Sequence, residues 1–185
     1  MNETYQQVNS RESYLGWLAA AIEGEGMISF SVSDRRNKGR RIEINPEVVV
    51  YNTDISFVQQ CMDISKKYIT GGLVKMLSRS RNPKHNQSFE ARWSGYRRIK
   101  SLLVAILPYM RSTKKIYRAK LLLDFVTKRL DREVERWKPF TQEEIDCLIQ
   151  LRISNSKTGE IAPGTLEKLQ RLNTEQYAEV SSKVY

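Results

Sequence analysis

Glu23 and Glu25 alternate with Gly24 and Gly26 at the end of an apolar, helix-forming run that starts at Tyr14. The carbonyl end of a helix carries partial negative charge and favours Lys or Arg, so acids there need an answering cation. Hard divalent ions such as magnesium accept oxygen ligands of this kind. Gly16, Ala20 and Gly24 are small residues four apart, a stripe that lets a second helix approach closely. The chain holds one copy of this stretch, so the natural partner is the same helix of a second molecule, related by a two-fold axis. Such a pairing would bring Glu25 and its symmetry mate together, and a shared or neighbouring cation would quench their repulsion. Glu23 is expected to be a solvated last-turn residue. The alternative reading makes Gly24 and Gly26 plain terminators of a helix packed on its own sheet, with Glu25 merely exposed.

The elements that would hold these groups follow from periodicity. Leu15, Leu18, Ala19 and Ile22 form one apolar helical stripe, and the helix is expected to begin near Ser10, capped by Ser10 or Ser13. After Gly26 the period becomes two: Ile28, Phe30 and Val32 alternate with Ser29, Ser31 and Ser33 as in a half-buried strand. Residues 35–41 form a turn with five positive charges. A second strand, Ile42 to about Tyr51, contains Pro46, which predicts an edge or a bulge. Asn52 or Thr53 is expected to cap a helix burying Ile55, Val58, Cys61, Met62 and Ser65 and ending at Gly71-Gly72. A second strand pair is predicted over residues 73–80 and 88–94, then a helix from Tyr96 stopped by Pro108. A long helix follows from about Thr113 to Trp137. Thr141 and Glu144 form a capping box for a helix through Ile153, and Pro163-Gly164 opens a last short one. This order predicts an α+β unit, one antiparallel sheet covered on one face by helices.

Alternation also assigns faces. The presented set is Ser29, Ser31, Ser33 and Arg35 on the first strand, and Glu43, Asn45 and Glu47 on the second. On the later pair it is Lys75, Leu77 and Arg79, then Ser88, Glu90 and Arg92. A twisted ribbon bearing these groups can enter the major groove, where Arg reads guanine, Asn adenine and Glu cytosine. Arg36, Lys38, Arg40 and Arg41 at the tip would take phosphates. The plain alternative is a solvated sheet face.

Composition narrows the function classes. The 185 residues suit one domain with a small appendage, and 31 Lys+Arg against 21 Asp+Glu give a net charge of +10, which points to a polyanionic partner or to solubility alone. His85 is the only histidine and the cysteines are Cys61 and Cys147, far apart, so a His-dependent triad, a zinc hydrolase and a zinc finger are poorly supported. Both cysteines read as buried free thiols, which suggests an intracellular, reducing compartment, whether cytoplasm, nucleoid or organelle matrix. No stretch reads as a signal peptide or a membrane span, so no membrane partner is expected.

Leu18-Ala19-Ala20-Ala21-Ile22-Glu23-Gly24-Glu25-Gly26, followed at once by an alternating strand, resembles the LAGLIDADG motif of homing endonucleases of the single-motif, homodimeric type. Leu18, Ala19, Ile22 and Gly26 are identical; Glu23 and Glu25 replace two aspartates, and Ala20 and Ala21 replace Gly-Leu. The order of elements agrees with that family over residues 13–130. The resemblance implies an αββαββα core with a saddle-shaped antiparallel sheet over residues 1–138, and a helical extension, 139–185, packed on it. It also implies an intron-encoded, site-specific double-strand DNA endonuclease, cutting a long, near-palindromic target to short 3′ overhangs. Glu25 and the backbone carbonyl of Gly24 would hold Mg2+, or Mn2+ or Ca2+ in the same site. Alignment on Ala119, Leu121 and Leu122 gives Lys115 the role of stabilising charge on the phosphate or ordering water; a plain helix-start lysine is the alternative. Asn52 would hold water near the metal. The rival classes are an RNA-binding intron maturase, for which Tyr5, Tyr109 and Tyr117 offer no stacking signature, a DNA-binding protein without cleavage, and a basic structural protein.

Overall fold

A computed structural model of the chain describes residues 3–34, 42–76, 86–132 and 140–181. Helix α1 (Glu3–Glu25) leads directly into strand β1 (Gly26–Asp34), paired with β2 (Ile42–Asn52). Helix α2 (Ile55–Tyr68) precedes β3 (Leu73–Met76) and β4 (Phe89–Ser94). Helices α3 (Tyr96–Ile106), α4 (Thr113–Asp131), α5 (Gln142–Asn155) and α6 (Pro163–Ser181) complete the described chain, with a 3-10 turn at Leu107–Tyr109 between α3 and α4. The four strands form one antiparallel sheet in the order β1-β2-β4-β3. This is the α+β class and element order that the sequence predicts.

The register fixes the two faces. Ile28 pairs with Val48 and Val32 with Ile44, while Val48 pairs with Trp93 and Val50 with Ala91. These side chains are buried, apart from partly exposed Val32, and pack against Leu18 and Ile22 of α1, Val58 and Met62 of α2, and Leu102 and Leu103 of α3. Trp93 is fully buried and donates its indole N–H to the Ser65 hydroxyl at 2.8 Å, so the core's largest ring keeps a polar partner. Ile55, predicted to be buried, is 51% exposed at the start of α2, and Ile64 takes a buried place instead.

Three local expectations are corrected. Helix α1 continues upstream of Ser10 to Glu3, because no Gly or Pro interrupts residues 3–15. Asp54, not Asn52 or Thr53, caps α2, its carboxylate accepting Ser56 N–H at 2.8 Å. Pro46 lies in a central strand rather than on an edge or bulge. It is tolerated because the β2–β4 ladder begins one residue later, at Glu47 and Ser94, so the proline ring faces a place where no strand needs its N–H. Helix α6 is also longer than expected.

The C-terminal helices protect the sheet's open edge. Among the described residues no strand pairs with the outer edge of β1, so its outward carbonyls need donors from elsewhere. Helix α5 supplies the donors: Arg152 Nη2 reaches Phe30 O at 2.9 Å, and Asn155 Nδ2 reaches Ile28 O at 2.9 Å. The Arg152 guanidinium lies 4.6 Å above the Phe30 ring. Glu144, only 1% exposed, anchors α5. The predicted capping box forms, Thr141 N–H donating to Glu144 at 2.8 Å. The same carboxylate accepts from Arg132 at 3.1 Å and from buried Arg129 at 3.4 Å, and Arg129 stacks over Phe140. Glu144→Ala is expected to lower stability by about 2–4 kcal/mol, since it removes a cap and a buried carboxylate that both Arg129 and Arg132 reach. Urea unfolding checks this.

Candidate functional site at the end of helix α1

The apolar stripe of α1 holds the helix on the core and turns its small residues outward. Leu15, Leu18, Ala19 and Ile22 are buried, Ala20 and Gly24 are exposed, and Gly16 is partly so. A Cβ added at Gly16 or Gly24 would meet nothing within 4 Å. The predicted stripe of Gly16, Ala20 and Gly24 therefore lies open along one side of the molecule.

Gly26 is different. An added Cβ would lie 2.5 Å from the carbonyl oxygen of Ile22 and 2.8 Å from its Cα, backbone atoms of α1 that cannot swing away. Glycine is what lets the chain pass from helix to strand without a loop. Gly26→Ala is expected to lower stability by about 1–3 kcal/mol by prying this junction apart, measured as a fall in Tm.

The helix end is assembled from two distant parts of the chain. Glu25 is exposed and, among the described residues, makes no hydrogen bond or ion pair. Lys115, in the first turn of α4, extends its ammonium to the carbonyls of Gly26 and, at 3.4 Å, Ile22. It supplies the positive charge that the last turn of α1 lacks. Burial pushes the Lys115 amine below its usual value of 10.5, Arg118 adds to that, and Glu23 and Glu25 oppose it. Glu23 is not the solvated residue predicted from sequence. Its Oε1 accepts the backbone N–H groups of Arg111 at 2.7 Å and Ser112 at 2.5 Å, just ahead of α4. Nothing local in the sequence announces that bond, because its partners are backbone groups 88 and 89 positions away. The side-chain oxygen of Asn52 accepts Asp54 N–H at 2.9 Å, which shapes the turn into α2.

The sheet carries the predicted face. Pairings Ser29–Glu47, Ser31–Asn45, Ser33–Glu43, Tyr51–Glu90, Val49–Arg92 and Lys75–Glu90 place all these side chains on the side away from the helices. Ser29 and Glu90 are only 3% exposed, however, so they line the face beneath their neighbours instead of standing out from it. Arg92 is not a free reader of bases either. It grips both oxygens of Glu90, at 3.0 and 3.1 Å, and also pairs with Glu47. Among the described residues this face bears Glu43, Glu47 and Glu90 against Lys75 and Arg92, so the positive charge lies elsewhere. The predicted contacts Arg35, Arg36, Lys38, Arg40, Arg41 and Arg79 fall outside the described residues, in two segments joining strands that carry eight Lys+Arg. Leu77 and His85 fall there too.

Solved structures share this architecture. The homing endonuclease I-CvuI, in complex with the I-CreI target in the presence of magnesium, superposes with a TM-score of 0.58 at 18% identity, over 90% of this chain and 96% of that one. The homing endonuclease I-TnaI gives 0.56 at 18% identity, over 88% and 97%. The I-SmaMI LAGLIDADG homing endonuclease bound to cleaved DNA gives 0.60 at 14% identity, over 86% of this chain and 48% of that one. The chain has the LAGLIDADG homing-endonuclease fold. No protein-family model and no curated protein matches the sequence, so the likeness lies in the backbone. Within the LAGLIDADG fold Glu23, Glu25 and Lys115 meet at one helix end, and the predicted polar face lies on the helix-free side of the sheet.

Proposed function

We propose that the chain is a site-specific double-strand DNA endonuclease that works as a homodimer with a divalent metal ion. One observation carries this reading: exposed Glu25 and Lys115 converge at the carbonyl end of α1, which the open stripe of Gly16, Ala20 and Gly24 leads up to. Structures of the same fold with DNA support the substrate, since I-CvuI was solved in complex with its target in the presence of calcium. The chain spans nearly all of I-CvuI and about half of I-SmaMI, which supports a working unit of two copies.

The residues suit a metal held jointly. Among the described residues no three His, Cys, Asp or Glu side chains gather into a ligand cage. Magnesium commonly takes one or two carboxylates and completes its shell with phosphate and water, which fits Glu25 and the Gly24 carbonyl from each of two copies. When bound, such an ion neutralises charge at the phosphate and acidifies water. The chain's own residues do the rest. Glu25 gives the site its negative ligand, the Lys115 ammonium faces the charge that develops on the phosphate, and the sheet face holds the duplex in register. Among the described residues no helix is long and apolar enough to cross a membrane.

Selection from a library of random duplexes tests the proposal. With magnesium, the purified protein is expected to enrich near-palindromic sites longer than one helical turn, about 10.5 base pairs, cut on both strands. EDTA should stop cutting. If no cut site is enriched, the proposal fails.

A further inference from the structure

The bond between Glu23 and the chain ahead of α4 closes a ring that the endonuclease reading leaves unused. On one side lie residues 22–26, the end of α1 and the start of β1. On the other lie residues 111–115, which lead into α4. Two links of opposite polarity join them. The Glu23 carboxylate accepts two successive backbone N–H groups, those of Arg111 and Ser112. The Lys115 ammonium donates to the carbonyls of Ile22 and Gly26. Ser112 ties the links together: its amide is held by Glu23, its hydroxyl accepts Lys115 N–H at 3.4 Å as the α4 cap, and its carbonyl accepts Ile116 N–H at 2.8 Å.

Resting on the endonuclease reading, we propose that Glu23 is a positioning residue: it clamps the start of α4 to the end of α1 and so sets the Lys115 ammonium beside Glu25. Lys115 sits one helical turn beyond the clamped amides, so a displacement of Ser112 moves it bodily. Lysine has four rotatable bonds and no preferred direction of its own, so its precision depends on the backbone that carries it. Two adjacent N–H groups converging on one carboxylate oxygen form a small anion-binding concavity, a rigid and charge-assisted attachment. This divides the motif's two acids. Glu25, exposed and unclaimed, is left for the metal and phosphate, while Glu23 is spent on geometry.

Glu23→Ala and Glu23→Gln separate the outcomes. Glu23→Ala should lose about 10–100-fold in single-turnover cleavage rate, the size of effect expected when a supporting contact to a catalytic constellation is lost. DNA affinity measured in EDTA should stay within about threefold. Glu23→Gln keeps an acceptor oxygen for the two amides, so it should recover most of that rate. A merely structural role would lower DNA affinity together with the rate.

Amide hydrogen exchange in the free protein reads the clamp without any activity. Arg111 and Ser112 should be protected in the wild type and exchange rapidly in Glu23→Ala, while core amides such as that of Leu122 stay slow. Unchanged protection, or a wild-type cleavage rate in Glu23→Ala, overturns the proposal. If the wild type cuts no DNA but the exchange pattern appears, the endonuclease reading has failed and the clamp between α1 and α4 stands.

Discussion

Glu25→Gln should abolish cleavage and leave the protein as stable as before. The substitution keeps the size of the side chain and removes its charge at an exposed position with no hydrogen bond or ion pair among the described residues. Surface changes of this kind usually fall within about 0.5 kcal/mol. Here two small effects oppose each other: a negative charge is withdrawn from the negative pole of α1, worth about 0.3–1 kcal/mol, and its attraction to the Lys115 ammonium is lost with it. Activity moves the other way. The amide is a poor ligand for a hard cation and cannot neutralise it, so the loss in cleavage rate should be at least about 10^3-fold, the upper end for a single transition-state contact.

DNA affinity is expected to hold or to tighten, since one fewer carboxylate faces the phosphates. Plasmid cleavage in magnesium, affinity in EDTA and a thermal melt together give the result. An inactive variant that melts with the wild type and binds as well identifies a residue kept for chemistry and not for the fold. A variant that cuts at the wild-type rate removes Glu25 from the reaction.

What could be read from sequence was whatever leaves a periodic or one-sided trace. The switch from Leu18, Ala19 and Ile22 to Ile28, Phe30 and Val32 marks the junction at Gly26, and the same alternation puts Ser31, Asn45 and Lys75 on one face, as the register shows. Thr141 and Glu144 announce their capping box because both halves lie within four residues. The misses are of two kinds. Where several residues can do the same local work, tertiary packing chooses, and so Asp54 caps α2 in place of its two neighbours. Where a polar side chain answers a distant backbone group, no pattern exists to find. Glu23 on the amides of residues 111 and 112, and Arg152 and Asn155 on the open carbonyls of β1, belong to this kind. The ion cluster of Glu47, Arg92 and Glu90 stands between: spacing two apart put Glu90 and Arg92 on one face, but only the β2–β4 register shows that Glu47 lies within reach.

Gly16→Leu is expected to convert the protein into a folded, inactive monomer. In the single chain an added Cβ at Gly16 meets nothing within 4 Å, so the substitution is felt only by a partner. Leucine is a better helix former than glycine by about 0.5–1 kcal/mol, so helix content should hold or rise. In the proposed dimer two α1 helices packed through their small stripe could not accept the change, because the stripe is where their axes would come close. Overpacking costs about 1–3 kcal/mol at one site, and a two-fold axis counts it twice. Even about 2 kcal/mol weakens association about 30-fold. Sedimentation should show the mass halved at concentrations where the wild type is a dimer, with an unchanged circular dichroism spectrum. Double-strand cleavage should be lost along with it, because in the proposed dimer each half of the metal site depends on the Glu25 of the other copy. Gly164, equally open in the single chain but placed at the start of α6, is the control, and Gly164→Leu should change neither mass nor activity. A Gly16→Leu protein that still sediments as a dimer and cuts both strands would mean that the copies meet through some other surface.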